Sequence, residues 1–279
     1  MTVPRREIVQ EDLVGYYHCS ARCVRRAFLC GKDPYSGRDF NHRKQWIKQR
    51  LKFLVEVFAI DLAGFGVMDN HLHTLISNRP DLAASWSADE VARRWRTLFP
   101  FRYEQGRPAE PNELEIKNIT SQPHLVREYR RRLSSISWFH RCLNEHIAKM
   151  ANAEDDCTGR FWEGRFRSKR IESIGALIAC LVYIDLNPIR AGIAKTPEES
   201  NYTSIQDRIK RYVSTAEIKD ESLPRLLSIE QLSAGSLSTA DYIELVDITG
   251  RKSVSGKGSI PDRLESILVR LRINTQRWV

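Results

Sequence analysis

Two histidines separated by one residue are the first pair in this sequence whose type and spacing suggest chemistry. His71 and His73 stand in the run His-Leu-His-Thr-Leu-Ile, a pattern typical of a β-strand. Because side chains i and i+2 of a strand point to the same face, the two imidazoles can converge on one cation. The alternative is that both are solvated or hydrogen-bonded on a polar strand face, and spacing alone leaves this open.

A tyrosine and an asparagine form the second candidate pair. Tyr183 and Asn187 are four residues apart on an apolar helix predicted at 173–186, so they are neighbours on one helix face. A phenol that attacks phosphorus needs a nearby cation, and an amide oxygen one turn away could complete the coordination of a metal. In the alternative interpretation, Tyr183 is a core aromatic residue and Asn187, which precedes Pro188, caps the start of the next turn.

Aromatic and basic residues alternate in the segment 159–170. Its cations could neutralise phosphates and its rings could stack on unpaired bases. Equally, the rings could lie in the core while the cations face water. The candidate DNA-binding residues are Arg160, Phe161, Trp162, Arg165, Phe166, Arg167, Lys169 and Arg170.

The composition favours a polyanionic partner and predicts a protein that does not cross a membrane. The chain has 279 residues, a formal net charge of +9 and a pI of about 9.3, which raises the prior for nucleic acid. No apolar run reaches the length of a membrane span, and the N-terminus lacks the apolar core of a signal peptide, so we expect a cytoplasmic protein with no membrane partner. Zinc shared by Cys19 and Cys23 would need a second ligand pair at zinc-site spacing, which the sequence lacks.

The elements around the histidines predict the fold. Periodicity indicates a strand at 16–24, a helix at 39–59, and strands at 60–68 and 71–77 joined by the turn-forming pair Asp69-Asn70. This order opens a ferredoxin-like α+β sandwich with an antiparallel sheet.

The rest of the chain divides into further segments. Residues 78–132 predict a long insertion with helical patches, 135–151 an amphipathic helix, and the loosely patterned 213–279 an accessory helical C-terminal region. We therefore expect a catalytic domain at 1–212 and a helical extension after it.

Three motifs in chain order resemble the single-tyrosine HUH transposases of the insertion-sequence-200 type, most closely their REP-associated relatives. The resemblance covers roughly residues 15–212. The motifs are Val-Met-Asp-Asn-His-Leu-His-Thr-Leu-Ile at 67–76, Gly-Arg-Phe-Trp-Glu-Gly-Arg-Phe at 159–166 and Tyr-Ile-Asp-Leu-Asn-Pro-Ile-Arg-Ala-Gly at 183–192.

The resemblance implies both a chemistry and its residues. His71 and His73 would hold a divalent cation, Mg²⁺ or Mn²⁺, with Asn187 as a polar third ligand, and Tyr183 would be the nucleophile. Such enzymes cut and rejoin single-stranded DNA beside hairpins through a 5′-phosphotyrosine intermediate in DNA transposition, and many act as homodimers. Many members carry Pro-Asn where this chain has Asp69-Asn70, and the compact members lack both the long insertion and the tail.

Two other functions stay open from the sequence. A domesticated, catalytically silent protein would bind DNA hairpins and form no covalent adduct. A zinc hydrolase would use the two histidines with a third protein ligand and a carboxylate base, for which Asp61 and Asp185 are available.

Overall fold

The computed structural model describes residues 10–24, 27–213 and 223–271. These residues form, in chain order, β1 (Gly15–Arg22), α1 (His42–Val57), β2 (Ile60–Val67), β3 (His71–Asn78), α2 (Pro80–Ser85), α3 (Ala88–Leu98), β4 (Tyr103–Glu104), β5 (Arg107–Pro108), α4 (Glu113–Thr120), α5 (Pro123–Leu133), α6 (Ile136–Glu154), β6 (Arg167–Ile171), α7 (Ile174–Arg190), α8 (Ser204–Val213), α9 (Ile229–Leu232), α10 (Thr239–Arg251) and α11 (Ile267–Arg270).

The central sheet has the order β2-β3-β1-β6, and every neighbouring pair of strands is antiparallel. The predicted α+β fold with an antiparallel sheet is therefore confirmed, and the strand order is that of a ferredoxin-like sheet. Both central strands, β1 and β3, carry residues of the candidate site.

Alternation along β1 separates the two faces of the sheet. Tyr17, Cys19 and Ala21 are buried in the core that helices α1 and α6 share. Because neighbouring side chains of a strand point to opposite faces, the other row faces α7. That row is polar or amphipathic at every position: Tyr16, His18, Ser20 and Arg22.

The insertion predicted at 78–132 forms helices α2 to α5 and the short hairpin β4–β5. It packs on the side of α1 and α6, where Val91, Leu98 and Ile116 join the main core. The Trp95 ring stacks on Tyr129 with a centroid separation of 4.1 Å.

Helix α7 lies on the opposite face, against β2 and β3. Two glycines of β2 permit the close approach: a Cβ on Gly64 would lie 2.2 Å from Leu181 Cδ1, and one on Gly66 would lie 3.3 Å from the Ile184 carbonyl oxygen. We expected the helix to end at Asn187-Pro188, and this is wrong, because it continues to Arg190. Pro188 and Ile189 are buried, so packing of the last turn outweighs the backbone hydrogen bond that proline cannot make.

The described part of the C-terminal region packs directly on α7. Tyr242, Ile243 and Val246 of α10 are fully buried and share one core with Leu181 and Ile184. The predicted boundary between residues 212 and 213 stays a prediction, and residues 214–222 lie outside the described residues.

None of the helices in the described parts of the chain is both long enough and apolar enough to cross a membrane.

Candidate active site

The turn before β3 fixes the position of the first histidine. The Lys44 ammonium lies 2.6 Å from the Asp69 carboxylate, and the backbone N–H of Cys30 donates to the Asp69 carbonyl at 2.8 Å. Gly31 is required here, since a Cβ at this position would lie 2.3 Å from Asp69 Cγ. The turn closes with a 2.8 Å hydrogen bond from the Met68 N–H to the His71 carbonyl. His71, the first residue of β3, therefore follows a turn that contacts from Lys44 and Cys30 hold in place.

Three imidazoles, not two, gather on the face of the sheet beside α7. The rings of His71 and His73 are 4.9 Å apart between centroids, and the ring of His18 on β1 stacks 5.0 Å from that of His73. His18 Nε2 and His73 Nδ1 are 2.9 Å apart, within hydrogen-bond distance.

Helix α7 presents Tyr183 to this group of imidazoles. The phenol ring lies 5.7 Å from the His73 ring and 6.1 Å from the His18 ring, edge-on to both. Tyr183 is 52% exposed, so its ring lies at the surface of the protein.

The two strand histidines are held in their neutral form. Burial, reinforced by the charge of Arg22, lowers the pKa of His71 to about 4. Burial, followed by the neighbouring imidazoles, lowers the pKa of His73 to about 3. At neutral pH both rings therefore keep a lone pair, which is the state that binds metal ions.

The donor set fits a divalent cation. His71 Nδ1 lies 2.7 Å from Asn70 Oδ1 and donates its proton there, so its Nε2 is free to bind a cation. His73 Nδ1 and His18 Nε2 share one hydrogen bond, and in the tautomer in which His73 Nδ1 donates it, Nε2 of His73 keeps its lone pair for a cation. Asn187 Nδ2 donates to the Tyr183 carbonyl at 3.0 Å, which leaves the amide oxygen as an acceptor. Two imidazoles and an amide oxygen, completed by water or a phosphate oxygen, suit a first-row metal ion or Mg²⁺.

Basic side chains line a cleft of about 290 Å³ next to the histidines. Beside His71 and His73, the lining includes Arg165, Arg167 and the acidic Glu163 from the segment after α6, and Arg22 from β1. Cross-strand register places Arg167 beside Ser20 and Lys169 beside His18, so the edge strand adds two cations to the same face. Arg160, Arg165, Arg167 and Lys169 are exposed, and Arg170 is half-buried with a hydrogen bond to Gln10.

The aromatic residues of the same segment are packed in the core. Phe161, Trp162 and Phe166 are at most 8% exposed. Trp162 Nε1 donates to the Asn144 carbonyl at 2.9 Å, and Phe166 stacks on His140. Their burial disfavours the expectation that these rings stack on bases. It favours the alternative interpretation, in which the rings pack in the core and the cations of the segment face water.

A second polar group lies two residues further along α7. Asp185 is fully buried and accepts hydrogen bonds from Tyr242 Oη at 2.6 Å, Ser204 Oγ at 2.7 Å and the Ile205 N–H at 3.0 Å. Burial raises the pKa of Asp185 to about 6, against the lowering effect of these hydrogen bonds. This carboxyl faces the interior, away from the histidines.

The residues described here do not supply the ligands of a zinc hydrolase. Asp61 is paired with Arg79 at 2.9 Å, and Asp185 is enclosed as above. Within residues 10–24, 27–213 and 223–271, no three His, Cys, Asp or Glu side chains are grouped to hold a metal. This also disfavours the shared zinc considered for Cys19 and Cys23, which are buried in the core.

Sequence reasoning did not select His18 and Arg22. A signal for both was present, because β1 alternates buried residues with Tyr16, His18, Ser20 and Arg22 on the other face. That alternation places them beside His71 and His73 only once the pairing of β1 with β3 is known, with Arg22 opposite His71 and Ser20 opposite His73.

Comparisons with known proteins give one structural likeness. No protein-family model matches the sequence, and no curated protein matches it. Among solved structures, the chain is similar to a REP-associated tyrosine transposase bound to a REP hairpin, with 12% sequence identity and a TM-score of 0.45 over 82% of this chain and 100% of that chain. A TM-score of this size does not assign the chain to that protein's family.

Proposed function

We propose that this protein is a transposase that binds DNA and cuts and rejoins single-stranded DNA through a covalent bond to Tyr183. The three motifs that resemble the single-tyrosine HUH transposases support this proposal. The observation that carries it is spatial: the phenol of Tyr183, half exposed on α7, lies 5.7 Å from the ring of His73 on the central strand β3.

In the proposed reaction, Tyr183 exchanges one phosphodiester bond for another. The phenol oxygen attacks the scissile phosphorus, its proton passes to solvent, and the bond from phosphorus to the DNA 3′-oxygen breaks with that oxygen taking up a proton. The product is a 5′-phosphotyrosine and a free 3′-hydroxyl. A second 3′-hydroxyl reverses the step and rejoins a strand, so no nucleotide cofactor is required.

His71 and His73, with Asn187 as the third ligand, would hold Mg²⁺ or Mn²⁺. The ion would supply Lewis-acid stabilisation of the charge that develops on the phosphate oxygens. The protein's own residues do the positioning. Asn70 and His18 orient the two ligand rings through Nδ1, and Arg165 and Arg167 provide cations for the phosphates of the strand.

The test is covalent attachment followed by denaturing electrophoresis. The protein is incubated with labelled single-stranded oligonucleotides that contain hairpins, in Mn²⁺ and in excess chelator. We expect a metal-dependent adduct with the wild type and none with Tyr183→Phe, while DNA binding is unchanged. Tyr103→Phe is the matched control, because Tyr103 is also exposed, at 64%, but lies in the insertion.

Two results would contradict the proposal in different ways. An adduct that persists in Tyr183→Phe would mean that another residue is the nucleophile. A wild type that binds hairpins tightly yet forms no adduct under any metal would favour the silent DNA-binding protein.

A further inference from the structure

A second cleft lies beside Tyr183. It has a volume of about 410 Å³ and separates α7 from the loop 252–258 that follows α10. Tyr183, Asn187 and His71 line one side, and Val254 and Lys257 line the other. His71 borders both this cleft and the arginine-lined cleft, so the two meet at the candidate metal ligands.

The loop 252–258 is fastened to the end of α7. The Arg190 guanidinium donates to the carbonyls of Thr249 at 2.9 Å, Lys252 at 2.8 Å and Gly258 at 3.0 Å. The N–H of Gly258 donates back to the Arg190 carbonyl at 3.2 Å. A Cβ on Gly258 would lie 2.2 Å from the Ile189 carbonyl oxygen, so the contact requires glycine. The wall that the C-terminal region gives to this cleft is therefore preformed.

The charge of this cleft is suited to a phosphate. No acidic side chain is among the described residues that line it. Lys257 is exposed, and across the described ranges its ammonium makes no ion pair. Arg190 also lines the cleft, but its guanidinium is committed to the three carbonyls. Lys257 is thus the cation of this cleft that remains available to a ligand.

We propose that the loop 252–258 forms the second wall of a single-stranded DNA path, and that Lys257 contacts a phosphate of the strand beyond Tyr183. A strand lying on His71 and His73 would extend from the arginine-lined cleft on one side into this cleft on the other. This inference rests on the proposed function and gives the C-terminal region a role in binding the substrate.

The first test measures salt-dependent binding of a fluorescent, unstructured thirty-nucleotide oligo(dT) by full-length protein without metal. For Lys257→Ala, we expect the slope of log K against log salt to become shallower by about 0.7, the value for one phosphate contact on a single strand. This corresponds to roughly fivefold weaker binding at 0.1 M salt. Lys117→Ala is the matched control, because Lys117 is exposed on α4 and lines none of the clefts described above.

The second test places a photo-crosslinking benzophenone amino acid at position 254 and, as a control, at position 114. Val254 lines the cleft, whereas Leu114 is 73% exposed on the insertion. We expect crosslinks to oligo(dT) from position 254 at several times the yield from position 114. The melting temperature of each variant, compared with that of the wild type, shows whether the substitution has disturbed the packing of the loop 252–258.

The outcomes separate this inference from the proposed function. If the wild type binds oligo(dT) and forms the Tyr183 adduct, but Lys257→Ala has the slope of Lys117→Ala and the two crosslinking positions are equal, the path is wrong and the function stands. If Lys257→Ala shows the shallower slope and no adduct ever forms, the path stands and the catalytic proposal fails. A wild type that does not bind oligo(dT) overturns the path, and the hairpin assay then decides the proposed function by itself.

Discussion

Helix α7 contributes to two clusters of polar residues that differ in solvent exposure and in hydrogen bonding. The open cluster consists of Tyr183 with His18, His71 and His73, and the closed cluster consists of Asp185 with Ser204, Arg208 and Tyr242. Each contains a tyrosine, but the phenol of Tyr183 is half exposed whereas that of Tyr242 is fully buried and donates to a carboxyl. A spacing of two residues along α7 therefore separates the accessible phenol of Tyr183 from the buried, hydrogen-bonded carboxyl of Asp185.

The difference shows what each cluster contributes. In the closed cluster, Asp185 accepts three hydrogen bonds and Arg208 Nη2 donates to the Ala63 carbonyl at 2.7 Å, so α7, α8, α10 and β2 are joined in the interior. In the open cluster, each strand histidine keeps one ring nitrogen without a protein partner among the described residues. The closed cluster joins elements in the interior of the fold, and the open cluster keeps polar groups that remain available to a ligand.

The largest expected effect is a loss of adduct formation, without a loss of thermal stability, in His71→Ala. His71→Ala removes one of the two imidazoles that would hold the cation, so metal-dependent adduct formation should fall on the order of a thousandfold or more, about 4 kcal/mol of transition-state stabilisation. Its melting temperature should stay close to that of the wild type. His124→Ala, at an exposed histidine of α5, is the matched control. Adduct formation that is undiminished in His71→Ala or in excess chelator would contradict the metal role.

The second effect is a pH dependence of stability that comes from Asp185 of the closed cluster, and the comparison of the wild type with Asp185→Asn isolates it. Because burial raises the pKa of Asp185 from its usual 3.8 to about 6, its contribution to folding is present below pH 4 and is lost as pH rises through 6. Asp185→Asn stays neutral throughout. Between pH 4 and 7, the free energy of unfolding of the wild type should therefore fall relative to that of Asp185→Asn by roughly 2.4 kcal/mol. Urea denaturation at several pH values measures this difference. A constant difference would mean that Asp185 does not titrate in this range.

A smaller loss of stability is expected when the buried phenol loses its hydroxyl. Tyr242→Phe removes the hydrogen bond to Asp185, and the buried carboxyl loses one of its three donors, which costs about 2 kcal/mol at neutral pH. Adduct formation per folded molecule should be unchanged, which is the reverse of the result expected for Tyr183→Phe. If Tyr242→Phe instead abolishes the adduct at full stability, the division between the two clusters is wrong.

Much of the fold was readable from the sequence because the elements near the site have strong periodicity. The strands at 60–68 and 71–77 and the helix at 39–59 agree with β2, β3 and α1 to within a few residues. The continuation of α7 through Pro188 was not predictable, because the burial of Pro188 and Ile189, the latter in a core shared with the tail, outweighs a local stop signal. The tail has only weak periodicity in the sequence, yet its Tyr242 is fully buried. Its burial depends on contacts with α7, which are distant in the chain and therefore not visible in the local pattern.

The candidate site was predictable where one element carries both partners. Strand and helix spacing within a single segment predicts that His71 lies beside His73 and Tyr183 beside Asn187, whereas their roles as ligands and nucleophile come from the family resemblance and stay predictions. His18 was not predicted, because its relation to His73 depends on the register of two strands that lie more than fifty residues apart in the chain. For the three aromatic residues at 161, 162 and 166, the sequence allowed both base stacking and core packing. Their burial in the structure distinguishes the two interpretations.

The smallest expected effect concerns the exposed arginines beside the open cluster. Arg165→Ala with Arg167→Ala should make the salt dependence of oligo(dT) binding shallower by about 1.4, as expected when two phosphate contacts are lost, and should leave thermal stability unchanged. Arg93→Ala with Arg107→Ala removes the same charge from exposed positions of the insertion and should leave the slope nearly unchanged. If both double variants lower the slope equally, the effect reflects net charge alone. The cations at 165 and 167 would then be a solvated surface, and the strand would be held by other residues around Tyr183.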